Sequence, residues 1–369
     1  MNQLFRWDQT GLFLLALAAG ILPFAVPEVC AAALREGLTL CSGPLLLSLF
    51  PFLVVSRLLI QCPESDLLAL PFRLAAWGIG IRTPCAARVL CIGFLGGFAP
   101  AASAAAQAVR TGQLTAEEAD ALLPACICSG PSFVVLTVGQ SLLGSAELGV
   151  LLFASQITAN YLTAALLNRF AGMHSVKLGS AAPASPAPPR LDEILADAAI
   201  TYCKLCGFIL FFRMLAAGAG ALLPAGAGTL CSILLEVCSG CDLASRTGRW
   251  GSLLCCAALS VQGLSVLLQV RTICPPEMTL RPLYRARMLH LPLSLALFYL
   301  LLPGGEADVF STLPARVLLM RRVPPDCALL VFAVCCMAAC TLRSGIRQVE
   351  QKQMARNAGG CCINSKTLL

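Results

Sequence analysis

The sequence predicts an all-α, polytopic helical membrane protein built of two repeats that contain interrupted or re-entrant helices. Three observations predict it. The chain is 58% hydrophobic and only 12% charged, with a mean hydropathy of +0.81. An ordinary soluble domain is about 25% charged, and this chain could not cover its own surface with so few charges. Apolar runs of membrane length, about 20 residues, recur along it. Finally, residues 51–59 match 207–215 in spacing, each with one arginine, and Gly130-Pro131-Ser132 matches Gly263-Leu264-Ser265. A helix-breaking Gly-x-Ser inside an apolar run, once per half, is the pattern by which repeat-built transporters form a site near the bilayer midplane.

The elements follow in order. The run 12–34 behind Arg6 has Glu28 as its one charge and contains Pro23 and Pro27. It is longer than the core of a signal peptide, so an uncleaved first span is expected, with cleavage as the alternative. Further spans are expected at 38–60, 142–168, 196–222, 250–273, 288–303 and 327–342. Between them lie apolar segments that are broken: 86–109 with Gly97 and Pro100, 119–139 with Ser129-Gly130-Pro131, and 226–244 with Glu236 and Ser239-Gly240. These read as hairpins that enter the bilayer and turn back, which is tolerated only where protein or a water-filled cavity surrounds the backbone. Thr115 and Glu118 form a capping box at a helix start, and Glu117, Glu118 and Asp120 suit its dipole. The resulting units are an N-terminal transmembrane helix at 1–35, a first repeat at 36–170 and a Pro/Ala/Ser-rich linker at 171–195. A second repeat at 196–275, two C-terminal transmembrane helices at 276–343 and a polar basic tail at 344–369 complete the chain.

The net charge is +7. Arg271, Arg281, Arg285 and Arg287 cluster in one expected loop, and the tail holds Arg343, Arg347, Lys352, Arg356 and Lys366. The positive-inside rule puts both in the cytoplasm. The basic balance therefore reads as topology in a cell membrane and affinity for the lipid bilayer. Nucleic acid is not an expected partner, because no aromatic interleaving or recognition motif accompanies the charge. The 21 cysteines sit mostly in apolar segments as small packing residues. Without a paired CxxC array and with only His174 and His290, no metal and no cofactor is expected.

The combination Leu49-Phe50-Pro51-Phe52-Leu53, Gly112-Gln113-Leu114-Thr115 with Glu118-Ala119, and Ser129-Gly130-Pro131-Ser132-Phe133 resembles the YlbJ-type sporulation integral membrane proteins. Leu234-Leu235-Glu236-Val237 and Gln262-Gly263-Leu264-Ser265-Val266 extend the resemblance over roughly residues 36–275. That family carries the nucleoside-recognition, or Gate, domain, so the resemblance implies two Gate-like repeats and a role in spore-envelope (cortex) formation. It names a process rather than a mechanism. The chain departs from the family pattern at Gly97-Phe98-Ala99-Pro100, where Ser-Gly-Tyr-Pro is usual, at Cys128, where Asn is usual, and at Asn160, where His is usual.

The expected solute or ion path comprises Ser129, Gly130, Pro131, Ser132, Glu236, Ser239, Gly240, Gln262, Gly263, Ser265 and Gln269. Broken helices free backbone amides and carbonyls that hold polar solutes and ions, and the serines and glutamines add direction. The alternative for the two turns is a simple kink or close helix packing. An acid in the membrane is costly, about 2.5–3.5 kcal/mol at its centre. Glu236 is therefore expected to couple H⁺ or Na⁺ or to hold a hydroxyl, or else to pair with Arg213 or sit shallow at the interface. Gln156 and Asn160 are expected to bond between helices. Arg57 and Arg213 are expected to reach out to headgroups. No catalytic motif is present, so an enzyme is not expected. The expected function is transport or binding of a small polar, nucleoside-like solute during sporulation; the alternative is a structural or assembly component of the same membrane. Oligomeric state is not legible.

Overall fold

The computed structural model describes residues 9–171 and 191–302. The expected span at 327–342, the tail and most of the linker lie outside them. The described residues are helical throughout, and three helices, Ala146–Phe170, Leu191–Leu222 and Gly248–Ile273, are long and apolar enough to cross a membrane. Large apolar side chains such as Phe24, Phe170, Leu230 and Leu300 stand exposed on the outside. A water-soluble fold rarely leaves so much apolar surface uncovered, whereas lipid solvates it.

Helix α1 (Gln9–Ala25) meets α2 (Pro27–Ser42) at an angle of 108°. The span expected at 12–34 is therefore bent, because Pro27 begins a new helix whose first turn needs no amide donor. Likewise 38–60 is divided at Gly43, where α3 (Pro44–Gln61) starts. Next, α4 (Leu70–Gly78) lies before a pair of short helices, α5 (Pro84–Gly96) and α6 (Phe98–Arg110), which pack on each other. Helix α7 (Ala116–Cys126) carries the expected capping box in full: Glu118 N–H donates to Thr115 Oγ1, and Thr115 N–H to Glu118 Oε2. An unwound stretch at 127–130 leads into a π-helix (Ser132–Leu142), then α8 (Ala146–Phe170) returns.

The second half repeats that succession. A long helix, α9 (Leu191–Leu222), precedes the packed pair α10 (Ala225–Leu235) and α11 (Val237–Ser245). Helix α12 (Gly251–Val261) is broken from α13 (Gly263–Ile273), and α14 (Arg281–Leu301) returns. Thus Arg281, Arg285 and Arg287, expected in a loop, are helical.

Two kinds of break result. Helices α5 and α6 fold back on each other, as do α10 and α11. Helix α7 and the π-helix do not pack together, nor do α12 and α13, and the second pair forms one stretch of membrane length. The two arms of the hairpin expected over 119–139 do not pack on each other. The hairpins open to opposite ends. Arg88 of α5 donates to Gln113 just past α6 (2.8 Å), fixing that mouth beside the start of α7. Asp120 of α7 accepts from the amides of Thr279 and Leu280 (2.8 and 3.1 Å), so the segment after α13 lies at the same end. The α10–α11 hairpin instead packs through α11 on the π-helix, at the far end of the first broken span.

Candidate functional site

The four breaks meet. Gly97, between α5 and α6, has φ +81°, and a Cβ there would stand 2.6 Å from the amide nitrogen of Gly130. Only glycine fits, for its backbone angle and for the contact. Ser129 beside Gly130 accepts a hydrogen bond from Gln262 Nε2 across the interface between halves (3.4 Å). Gln262 is itself left-handed, at φ +66°, which costs a non-glycine residue strain. Gly263 follows at φ +67°, and a Cβ on it would come within 3.0 Å of Glu236 N and Leu235 O. One line of contacts thus joins Gly97, Gly130, Ser129, Gln262, Gly263 and Glu236.

Glu236 is 2% exposed and ends α10 in extended geometry. Its Oε1 accepts from Cys238 N–H (2.9 Å) and its Oε2 from Ser239 N–H (2.7 Å), so it is the N-cap of α11. It forms no ion pair with Arg213, which bonds Glu36 (2.7 Å) instead. The cap explains how a carboxylate is held in this apolar region: two amides and a helix dipole face it.

Of the other expected residues, Ser239 supplies one of those amides, and Gly240 closes the hairpin against the Ile233 backbone. Pro131 starts the π-helix, but Ser132 is exposed and does not join the crossing. Ser265 accepts from Gln269 Nε2 one turn along α13 (2.9 Å), and both are buried. The Oε1 atoms of Gln262 and Gln269 have no hydrogen-bond partner. Buried polar atoms are nearly always satisfied, so the orphaned acceptor of Gln262 at the break, and that of Gln269 two turns along α13, mark where polar groups are wanted.

Sequence reasoning missed Arg287. It is 7% exposed, and its guanidinium donates to Ile127 O (2.8 Å), Asn160 Oδ1 (3.1 Å) and Ser260 O (3.3 Å). No carboxylate pairs with it among the described residues. The signal was available: Leu283, Arg287, His290, Ser294 and Phe298 recur every three or four residues and form the buried stripe of α14. Around it Gln156 donates to Ser260 Oγ (2.9 Å) and Asn160 to Ile127 O (3.2 Å), the interhelical bonds expected of them.

Arg57 does not reach outward as expected. It is 7% exposed and held by Asp197 and Ser103 (3.3 Å). It lines a cavity of about 140 Å³ with Ser103, Arg110, Asp197, Thr201 and Lys204, between α3, α6 and α9. Among the described residues no cluster of three His, Cys, Asp or Glu side chains is placed to bind a metal. Comparison with models of known protein families, with curated proteins and with solved structures finds no match.

Proposed function

We propose that this chain is a multi-pass membrane protein that binds a small polar solute at the crossing of its broken helices and passes it across the bilayer. The observation that carries the reading is the convergence itself: unwound backbone from both halves meets at Ser129 and Gln262, with the buried amide oxygen of Gln262 unsatisfied. Unwound backbone inside a membrane protein is costly and persists where it serves a binding site. We read the two successions of helices as Gate-like repeats of opposite orientation, with hairpins reaching in from opposite ends. The polar cavity at Arg57 and Lys204 lies beside α6 at the end rich in arginine, which we assign to the cytoplasm. The resemblance of the sequence to sporulation membrane proteins supplies the setting, the cell membrane during spore-envelope formation, and makes a nucleoside the first solute to test.

The test is uptake of tritiated uridine and adenosine into proteoliposomes. Uptake should exceed that of protein-free vesicles and fall at least tenfold in Gln262→Leu, the loss of one buried polar contact being worth about 1–3 kcal/mol. No uptake of either above empty vesicles, with the protein shown folded, overturns the reading.

A second reading, a non-transporting structural component of the same membrane, is favoured by Glu236. Both its oxygens are engaged as a cap, which leaves it little capacity for a solute or coupling ion. Normal spore envelopes in Gln262→Leu, with no solute binding, decide for it.

A further inference from the structure

We infer that Arg287 is a built-in cation: its guanidinium occupies a monovalent-cation site formed by the ends of the two broken spans, Ile127 O and Ser260 O, together with Asn160 Oδ1. The inference rests on reading the crossing as a solute site and deepens it by saying what drives the movement. A chain that carries its own cation there does not draw on a sodium gradient at that point.

Three observations carry it. The first is the ligand set. Ile127 follows the last turn of α7 and Ser260 lies in the last turn of α12, so the guanidinium faces the carbonyl ends of both half-helices at once (2.8 and 3.3 Å). Helix C-termini carry partial negative charge, and in broken-helix transporters such ends coordinate the coupling ion. Carbonyl and amide oxygens are also the ligands that hard cations prefer.

The second is the charge. A buried guanidinium normally has a carboxylate beside it, and Arg287 has none among the described residues. Its compensation is the dipoles of two helix ends and one side-chain amide, which is how a protein holds a metal cation rather than how it builds an ion pair. Arg287 Nε has no partner. The donors are therefore not arranged to satisfy a hydrogen-bond network in full.

The third is the origin of the oxygens. They come from three elements, α7, α8 and α12, while the cation comes from a fourth, α14. Removing the side chain leaves the other three facing an emptied position.

The experiment is thermal unfolding of the purified full-length protein in detergent, in N-methylglucamine chloride and in NaCl, LiCl and KCl at constant ionic strength. The native protein should unfold at the same temperature in all four. Arg287→Met should unfold several degrees lower in N-methylglucamine and recover saturably with millimolar Na⁺ or Li⁺, and Arg287→Ala should recover with millimolar guanidinium. Arg287→Lys, which keeps the charge, should remain indifferent to the salt. A merely structural arginine would leave the Lys and Met variants alike, with no cation response in either. A saturable Na⁺ effect on the native protein overturns the inference, and so does failure of every cation to recover the Met and Ala variants. Because this readout is stability, it stands or falls separately from nucleoside uptake.

Discussion

Glu236 shows how a single side chain makes a break possible. The chain leaves α10 at Glu236 and starts α11 at once, and the first amides of α11 would be orphaned in an apolar surround without an acceptor. The carboxylate takes two of them. Glu236→Ala should therefore destabilise the protein by about 1–2 kcal/mol, the upper range for loss of a cap. Glu236→Gln should cost less, because one amide oxygen still accepts. Unfolding of both variants with urea in detergent checks this. If Glu236→Gln costs as much as Glu236→Ala, the carboxylate acts through its charge and not as a cap. Ser129, Gln262, Gly263 and Glu236 were legible in the sequence because each is polar or helix-breaking within an apolar run. Ser132 misled for the same reason: three residues after Ser129, at the head of a π-helix, its side chain points outward. Arg287 stayed hidden among neighbouring arginines, where the pattern of charge suggested a loop and the three-to-four spacing of apolar neighbours was the better guide.

At the scale of elements, the α5–α6 hairpin depends on a tip that admits no side chain. Gly97 and Gly112 both have positive φ, at +81° and +69°, but only Gly97 has a neighbour within reach of a Cβ. Gly112→Ala should cost about 1–2 kcal/mol, the backbone strain alone. Gly97→Ala must also push the Gly130 backbone away, so its cost should exceed that severalfold, and the protein should fail to reach the membrane in folded form. Comparing the yields and unfolding temperatures of the two variants checks the difference; equal effects would mean that α5–α6 does not dock on the first broken span. Thr115→Ala, at the capping box, should cost about 1 kcal/mol by the same measurement. Hairpin and broken span looked alike in the sequence, since both are short apolar segments around a breaker. What separates them is whether the two arms pack on each other, and that is decided by distant partners such as α13 on α6 and α11 on the π-helix. The bend between α1 and α2 was obscured similarly: hydropathy runs on through Pro27 while the backbone turns.

The whole molecule is organised by opposition. One end gathers Arg88, Arg110, Arg271 and Arg281, and the α5–α6 hairpin opens there, whereas the other hairpin opens at the far end. Short epitope tags inserted at Gly112 and at Gly248, both turns with open space around them, should be protected and exposed on opposite faces of oriented vesicles. Tags on one face would mean that both hairpins share an end. The all-helical, membrane-embedded character was legible because composition alone dictates it. The meeting of the halves was only hinted at by their matching Gly-x-Ser turns, since no local pattern encodes which break faces which.

That meeting is most directly tested by joining positions 129 and 262. In a Cys128→Ala background, Ser129→Cys and Gln262→Cys together should react in membranes with a short bis-maleimide, each thiol adding across one maleimide double bond, and mass spectrometry should recover the two peptides covalently linked. Recovery of both peptides singly modified and never joined would show that the breaks lie apart, and the crossing would not exist.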